Sequence, residues 1–335
     1  MITGVTRLAP TFLVLLAVSF GVRAQGQPPS GRGTLTIREA TIVYPAGRRS
    51  SAWAFRDAYG SARARVQRVT GGHPPEGLRI ELVEDFNALR EKVRGATGHV
   101  LPDWVGGVAL PSAHRIIIRL DIKESAWQRV DGILIHELCH IVVHHLLSEP
   151  TAAALPRWLD EGLAQFAEGR LFAPDSPNLA MRAFFGRVHA LADLEDSFPR
   201  SEGASSLAYA QSLSFVAFLD RQIAGREPLR DLLRRMRNGT SFPDAAHEVF
   251  LFPVDQLEER WMASLRDDKS WVPAVLGQLF VGLFLIVAVI MGASRIVKRR
   301  REGLARLTAN ETADLDPEEY AGENPDPDTD PIRPR

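Results

Sequence analysis

The stretch ILIHELCHIVVHHLL, residues 133–147, leaves the chain little freedom. Apart from His136, Glu137, Cys139, His140, His144 and His145 it consists of Ile, Leu and Val, so it reads as a helix buried on most sides. Ionisable side chains inside such a helix cost several kcal/mol unless something satisfies them. A metal ion would do so, and so would a set of buried hydrogen bonds. The spacing bears on the choice. His136 and His140 are four residues apart, which puts them about 40° apart on one helix face and one turn from each other. Two imidazoles so placed can bind one Zn²⁺ at ~2.0–2.1 Å. Glu137 falls beside that face, where it can reach a metal-activated water without being a ligand.

A third ligand is offered by LPRWLDEGLAQFAEG, residues 155–169. Glu161 follows His140 closely enough for a short loop and a returning helix to bring it alongside. Two His, one Glu and an open fourth position form a common zinc hydrolase set. The alternative is an amphipathic helix whose Asp160 and Glu161 face solvent. Leu159 and Leu163 flank the two carboxylates, and Gly162 permits close approach of a neighbour.

Upstream, TLTIREATIVY alternates like a strand, SSAWAFRDAYGSARARVQRVTGG carries helix start and stop signals, and LRIELV, WVGGVAL and HRIIIRLD read as further strands around a short helix, DFNALREKVRG. From about Ala126 to Asp268 the pattern is helical, which makes an α+β arrangement. The single cysteine, Cys139, excludes an intrachain disulfide and reads as a small core residue. The formal net charge of −1 singles out no partner class. RDLLRRMRNG has no interleaved aromatics, so it reads as a solvated helix face and nucleic acid is not an expected partner. His144 and His145 are expected at the surface near the helix end.

Both ends of the chain point to a membrane. One Arg precedes the apolar run from Leu8 to Val22, and small residues precede Gln25, the layout of a signal peptide over residues 1–24 with a linker at 25–33. Val272 to Ala293 is uncharged, and 22 residues at ~1.5 Å each span the ~30 Å hydrocarbon layer. Arg295, Lys298, Arg299, Arg300 and Arg301 follow, so residues 294–335, ending in an acidic, Pro-rich tail, are expected in the cytoplasm. The domain at 34–268 is then expected outside the cytoplasm, on a single-pass tether in the lipid bilayer of the cell membrane.

HELCH followed by WLDEG resembles the gluzincin metallopeptidases, the superfamily of thermolysin and the zinc aminopeptidases, and its peptidase MA-like branch in particular. The resemblance spans roughly residues 34–266, including LPDWVGGVALP and HRIIIRL. It implies a thermolysin-like fold with an N-terminal mixed sheet and a C-terminal helical subdomain. It further implies one Zn²⁺ held by His136, His140 and Glu161, with Glu137 as general base acting on a water during peptide hydrolysis. In relatives a Tyr or His from a later helix stabilises the oxyanion, and Tyr209 in SLAYAQSLSFVAFL lies in the corresponding region. Glu168 matches a glutamate of the aminopeptidase pattern that would support a metal-bound His, whereas Gln165 stands where relatives often carry an acid. In such folds the strand before the zinc helix forms the upper rim of the cleft, where a peptide adds as a further strand. Zinc aminopeptidases carry Gly-x-Met-Glu-Asn before the zinc helix, its Glu holding the substrate amine. VGGVALP at Val105–Pro111 has no acid, which favours an endopeptidase acting on a peptide or protein substrate. A zinc-binding module that holds a protein partner without cutting it is the alternative.

Overall fold

A computed structural model describes residues 31–98, 101–121, 127–147, 149–169, 177–199, 201–269 and 271–313. The expected signal peptide, most of the linker and the acidic end of the tail lie outside the described residues.

The sheet has five strands in the order β1-β2-β3-β5-β4. β1 (Arg32–Ile37) and β2 (Ala40–Pro45) form an antiparallel hairpin. TLTIREATIVY, which alternates as if it were one strand, is therefore two. Arg38 turns the chain at φ 40°, without the Asn-Gly or Asp-Gly pair that makes such a turn visible in sequence. β2, β3 (Leu78–Val83) and β5 (Arg115–Arg119) run parallel, whereas β4 (Gly107–Leu110) closes one edge antiparallel to β5. This corrects the expected position of the rim. β5, the last strand before the helix that carries His136 and His140, is internal, and among the described residues β4 is the edge strand on that side of the sheet.

Strands covered on both faces read as continuous apolar runs, and RIIIR is one. Ile116 and Ile118 enter the large core beneath the helices, and Ile117 enters a smaller one with Val83, Leu89, Val93 and Val108. Leu89 and Val93 belong to α2 (Phe86–Thr97), whose first turn is capped by the Asp85 carboxylate accepting from Ala88 N–H at 2.9 Å. α1 (Arg49–Thr70) covers the other face of the sheet and stops at Gly71, which takes the left-handed φ of 72°.

The helical half follows as α3 (Trp127–Leu146), α4 (Glu149–Ala153), α5 (Arg157–Glu168), α6 (Pro177–Phe184), α7 (Glu202–Arg221), α8 (Pro228–Arg237), α9 (Phe242–Phe250) and α10 (Val254–Asp267). α5 is wedged between α3 and α7. A Cβ on Gly162 would lie 2.6 Å from the Ser212 carbonyl oxygen and 2.5 Å from Val216 Cγ2, so only glycine lets these backbones meet. Trp158 anchors the other side of α5 against Phe215 and Phe242, with ring centroids 5.1 and 5.5 Å away.

α11 (Trp271–Ala313) belongs to a separate unit. Phe280, Leu283, Phe284 and Ile290 on it are exposed. The side chains at 271, 274, 275, 278, 279 and 281 lie outside the described residues. Among the described residues no helix is long and apolar enough to cross a membrane.

Glu81 on β3 is a buried carboxylate, only 3% exposed. Arg79, Arg115 and Lys92 approach it at 2.8, 2.8 and 2.9 Å. Burial works against its charge, but Lys92 and Arg115 hold its pKa below the ordinary carboxylate value. A group with a depressed folded pKa contributes stability above its unfolded pKa and loses it as pH falls through the folded value. Glu81→Gln should therefore cost about 1–3 kcal/mol at pH 7, and the difference from wild type should shrink in denaturant unfolding below pH 4.5.

Candidate active site

Ile133, Leu134, Ile135, Leu138, Ile141, Val142 and Val143 make α3 apolar nearly all round, and all are buried. Cys139 is buried among them, and burial pushes its thiol pKa up. His136, Glu137 and His140 are each 0% exposed in this surrounding. The two imidazoles lie one above the other, with ring centroids 5.1 Å apart. Both turn Nε2 towards Glu161 Oε2 on α5, at 3.6 Å from His136 and 3.9 Å from His140. One ligand atom from each residue falls within 4.8 Å of the others, as a single cation would need.

The other ring nitrogens meet carboxylates. His136 Nδ1 lies 3.4 Å from Glu168 Oε2, and His140 Nδ1 lies 2.8 Å from Asp160 Oδ2. This is the arrangement by which proteins orient ligating histidines, with one nitrogen turned to a carboxylate and the other left for the metal. Glu168 comes this close because Gly132 faces it, where a Cβ would lie 2.7 Å from Glu168 Oε1. Glu168 thus stands where its match to the aminopeptidase pattern implies. Gln165, where relatives often carry an acid, turns to the backbone instead: its amide donates to the carbonyls of Glu161 at 3.2 Å and Tyr209 at 3.1 Å, tying α5 to α7.

Three residues carry more than their sequence suggests. Asp160 does not face solvent; it is 7% exposed, and its Oδ2 meets His140 and, at 3.3 Å, His144 Nε2. Although burial raises it, these two histidines hold the Asp160 carboxyl well below the usual range. His144 is accordingly half-buried rather than a surface residue, while His145 is exposed and edge-on to His114 at 5.6 Å. Arg157 donates to Glu161 Oε1 at 3.1 Å, leaving Oε2 turned to the histidines. Arg157 is itself held over the Phe198 ring at 5.3 Å and hydrogen-bonded to Tyr209. Burial disfavours its charge, yet Glu161, Tyr209 and Asp160 raise its pKa. Tyr209 is buried, edge-on to Phe198 at 4.8 Å.

Glu137 stands beside β4. A Cβ on Gly107 would lie 3.0 Å from Glu137 Oε1, so glycine there lets the edge strand run past the carboxylate. Burial pushes the Glu137 carboxyl up to about 8, with His136 opposing and Glu161 adding to the rise. The His136 ring is pushed up to about 9; burial opposes its charge, but Glu161 and Glu168 outweigh it.

These groups fit a metal. Both ring nitrogens of His136 and His140, Glu161 Oε2 and the Glu137 oxygens are buried and lack a hydrogen bond of good geometry among the described residues, with only the Ala109 N–H acting on the Glu137 carboxylate. Such orphans are rare in folded proteins. Four carboxylates (Glu137, Asp160, Glu161 and Glu168) gather around His136, His140, His144 and Arg157, and a divalent cation would satisfy the donor atoms of His136, His140 and Glu161 that face one another there. Nitrogen and oxygen donors in this number suit Zn²⁺. Asp160→Asn and Glu168→Gln should each weaken zinc binding by about 10–100-fold in chelator competition.

A model of the Peptidase MA superfamily matches residues 60–267, more than half of the chain. No curated protein matches. Among solved structures, leukotriene A4 hydrolase from Saccharomyces cerevisiae is similar at 12% identity and a TM-score of 0.41, over 72% of this chain and 38% of that one. A mutant M1 zinc metallopeptidase from Deinococcus radiodurans is similar at 15% identity and a TM-score of 0.37, over 69% and 51%. The chain therefore spans from under two-fifths to about half the length of these proteins. The family match contains β3, the edge strand, the paired histidines and Glu161, and it bears out the resemblance carried by HELCH and WLDEG. With a buried donor set that fits Zn²⁺ on its two central helices, the chain belongs to the Peptidase MA superfamily.

Proposed function

We propose that this protein is a zinc metallopeptidase that cuts internal peptide bonds and is tethered to a membrane by the apolar run at 272–293. The observation that carries the catalytic reading is the convergence of His136 Nε2, His140 Nε2 and Glu161 Oε2, with the buried Glu137 carboxylate one residue from the first histidine. Zinc bound by these three residues would supply a Lewis acid that polarises a scissile carbonyl and makes water acidic enough to attack near neutral pH.

The chain's own groups do the rest. Glu137 takes a proton from the attacking water and returns it to the leaving amine. Asp160 and Glu168 fix the ring orientations, and Arg157 keeps Glu161 Oε1 engaged so that Oε2 is the ligand. Among the described residues β4 pairs with β5 along one side only, and an extended peptide would join its other edge as a further strand beside Glu137. No acidic residue occurs in Val105–Pro111, which supports an endopeptidase rather than an enzyme that clamps a substrate amine there. Tyr209 is assigned as the donor to the oxyanion, with Arg157 holding its hydroxyl. The tether reading rests on the uncharged 22 residues and the five basic residues after them, and it puts the peptidase domain outside the cytoplasm.

Glu137→Gln should retain zinc and lose at least about 10²-fold in peptide cleavage; undiminished cleavage removes Glu137 from the mechanism, and cleavage absent from wild type leaves a zinc-binding module. Tyr209→Phe should keep zinc and lower kcat by about 10²–10³-fold; a loss under tenfold accompanied by weaker zinc binding assigns Tyr209 to the support of Arg157. The full chain should stay in membranes through alkaline carbonate washing and be released when it is cut back to residue 268; release of the full chain refutes the tether.

A further inference from the structure

α6 ends on an exposed aromatic pair. Leu179, Ala180 and Ala183 bury one side of this helix, whereas Phe184 and Phe185 at its end are 48% and 58% exposed. Large apolar side chains are seldom exposed elsewhere in the folded domain. Among the described residues of 31–269 the others are Trp53 and Leu251. Trp53 has the Arg56 guanidinium over its ring at 4.0 Å, and single exposed apolar residues such as Leu251 are ordinary on a protein surface. Phe184 and Phe185 are adjacent, edge-on to each other with ring centroids 5.3 Å apart.

The backbone holds the pair in place. Gly186 takes φ 65°, its N–H donates to the Ala183 carbonyl at 3.1 Å, and Arg187 N–H donates to the Arg182 carbonyl at 2.8 Å. These two bonds close the helix with a left-handed glycine cap, which fixes where its last side chains stand.

What meets the pair follows from where it lies. Lys269 Nζ sits 4.7 Å from the Phe184 ring centroid and donates to the Arg266 carbonyl at 2.7 Å, just past the end of α10. Lys269 is three residues before Val272, where the uncharged run begins. Three residues of chain reach no further than about 11 Å. Phe184 is therefore close to the point at which the proposed tether enters the bilayer. The chemistry agrees with that place. Aromatic rings settle at the boundary between headgroups and acyl chains, and lysine lays its methylene stem there while its ammonium reaches the phosphates. Arg187, exposed one residue past Gly186, adds a second cation.

We propose that Phe184 and Phe185 form a bilayer contact, inserted at the headgroup boundary beside the tether, with Lys269 and Arg187 against lipid phosphates. The inference rests on the tether reading, which brings the bilayer to this face, and adds a second point of attachment. A domain held at two points swings less than one held by the span alone.

The test uses the full chain in phosphatidylcholine vesicles, spin-labelled at Phe185→Cys or, for comparison, at Glu91→Cys, an exposed position on α2. Cys139 is buried with its thiol pKa raised, so it stays unlabelled. Collisions with lipid-soluble oxygen and with a water-soluble nickel chelate report the depth of each label. The ratio of oxygen to nickel collisions should be several-fold higher at 185 than at 91. It should fall when Phe184→Ser and Lys269→Glu are added; a ratio unmoved by them overturns the pair as the contact. If the chain resists carbonate washing while both labels meet nickel alike, the contact is overturned and the tether stands. Spin–spin broadening at 185 that dilution with unlabelled chain relieves assigns the pair to a second copy. A label closed to both reagents assigns it to the chain's own fold, and either result overturns the bilayer contact. A chain that carbonate releases refutes the tether. The contact then stands only if the label at 185 still enters added vesicles, and falls if it does not.

Discussion

The structure depends on one arrangement, a helix buried through its middle that carries imidazoles whose outward nitrogens find no hydrogen-bond partner among the described residues. α3 lies between the sheet and α5, and His136, Glu137 and His140 are sealed from solvent within it. Burying ionisable groups in this way is unfavourable unless they are paired or bound to metal. The neighbours are built to manage that cost. Glu168 and Asp160 take the inner nitrogens, Gly132 makes room for Glu168, and Arg157 restrains the free oxygen of Glu161. The apolar core around α3 serves the same end, because it fixes the rotamers that these polar contacts require.

Much of this was legible in the sequence. β5 reads directly as a run of Ile, since burial on both faces leaves no polar alternation to confuse it, whereas β3 alternates with Arg79 and Glu81 and still reads as a strand. The ligand set was legible because four-residue spacing on a helix is a geometric fact independent of the rest of the fold. What escaped depended on pairing in three dimensions. The β1–β2 turn contains neither Gly nor Asn, and the edge position of β4 follows from strand order, which local patterns do not encode. Asp160 and Arg157 share a helix with Glu161 at spacings that also occur on ordinary solvated faces, so their burial could not be told from the sequence. His144 was hidden for the same reason. Its partner Asp160 lies 16 residues on, and only the return of α5 brings them together.

The electrostatics follow from the same return. Glu161 and Asp160 are consecutive, so they diverge by about 100° around α5. One turns to the outward nitrogens and the other to the inner nitrogen of His140, and the same Asp160 oxygen also meets His144. A single dipeptide thus sets both the donor and the support of one imidazole.

Gly162 gives the assembly a mechanical character. Because its missing side chain lets α5 touch the α7 backbone at Ser212, and Gln165 bridges to the Tyr209 carbonyl, the two helices behave as one bar. Glu161 rides on that bar, whereas His136 and His140 ride on α3 against the sheet. The ligand triad is therefore divided between two carriers, and its spacing reads out their separation. A displacement of α7 that carried α5 with it would shift Glu161 relative to His136 and His140, so the spacing of the three donors depends on how the helical half is seated.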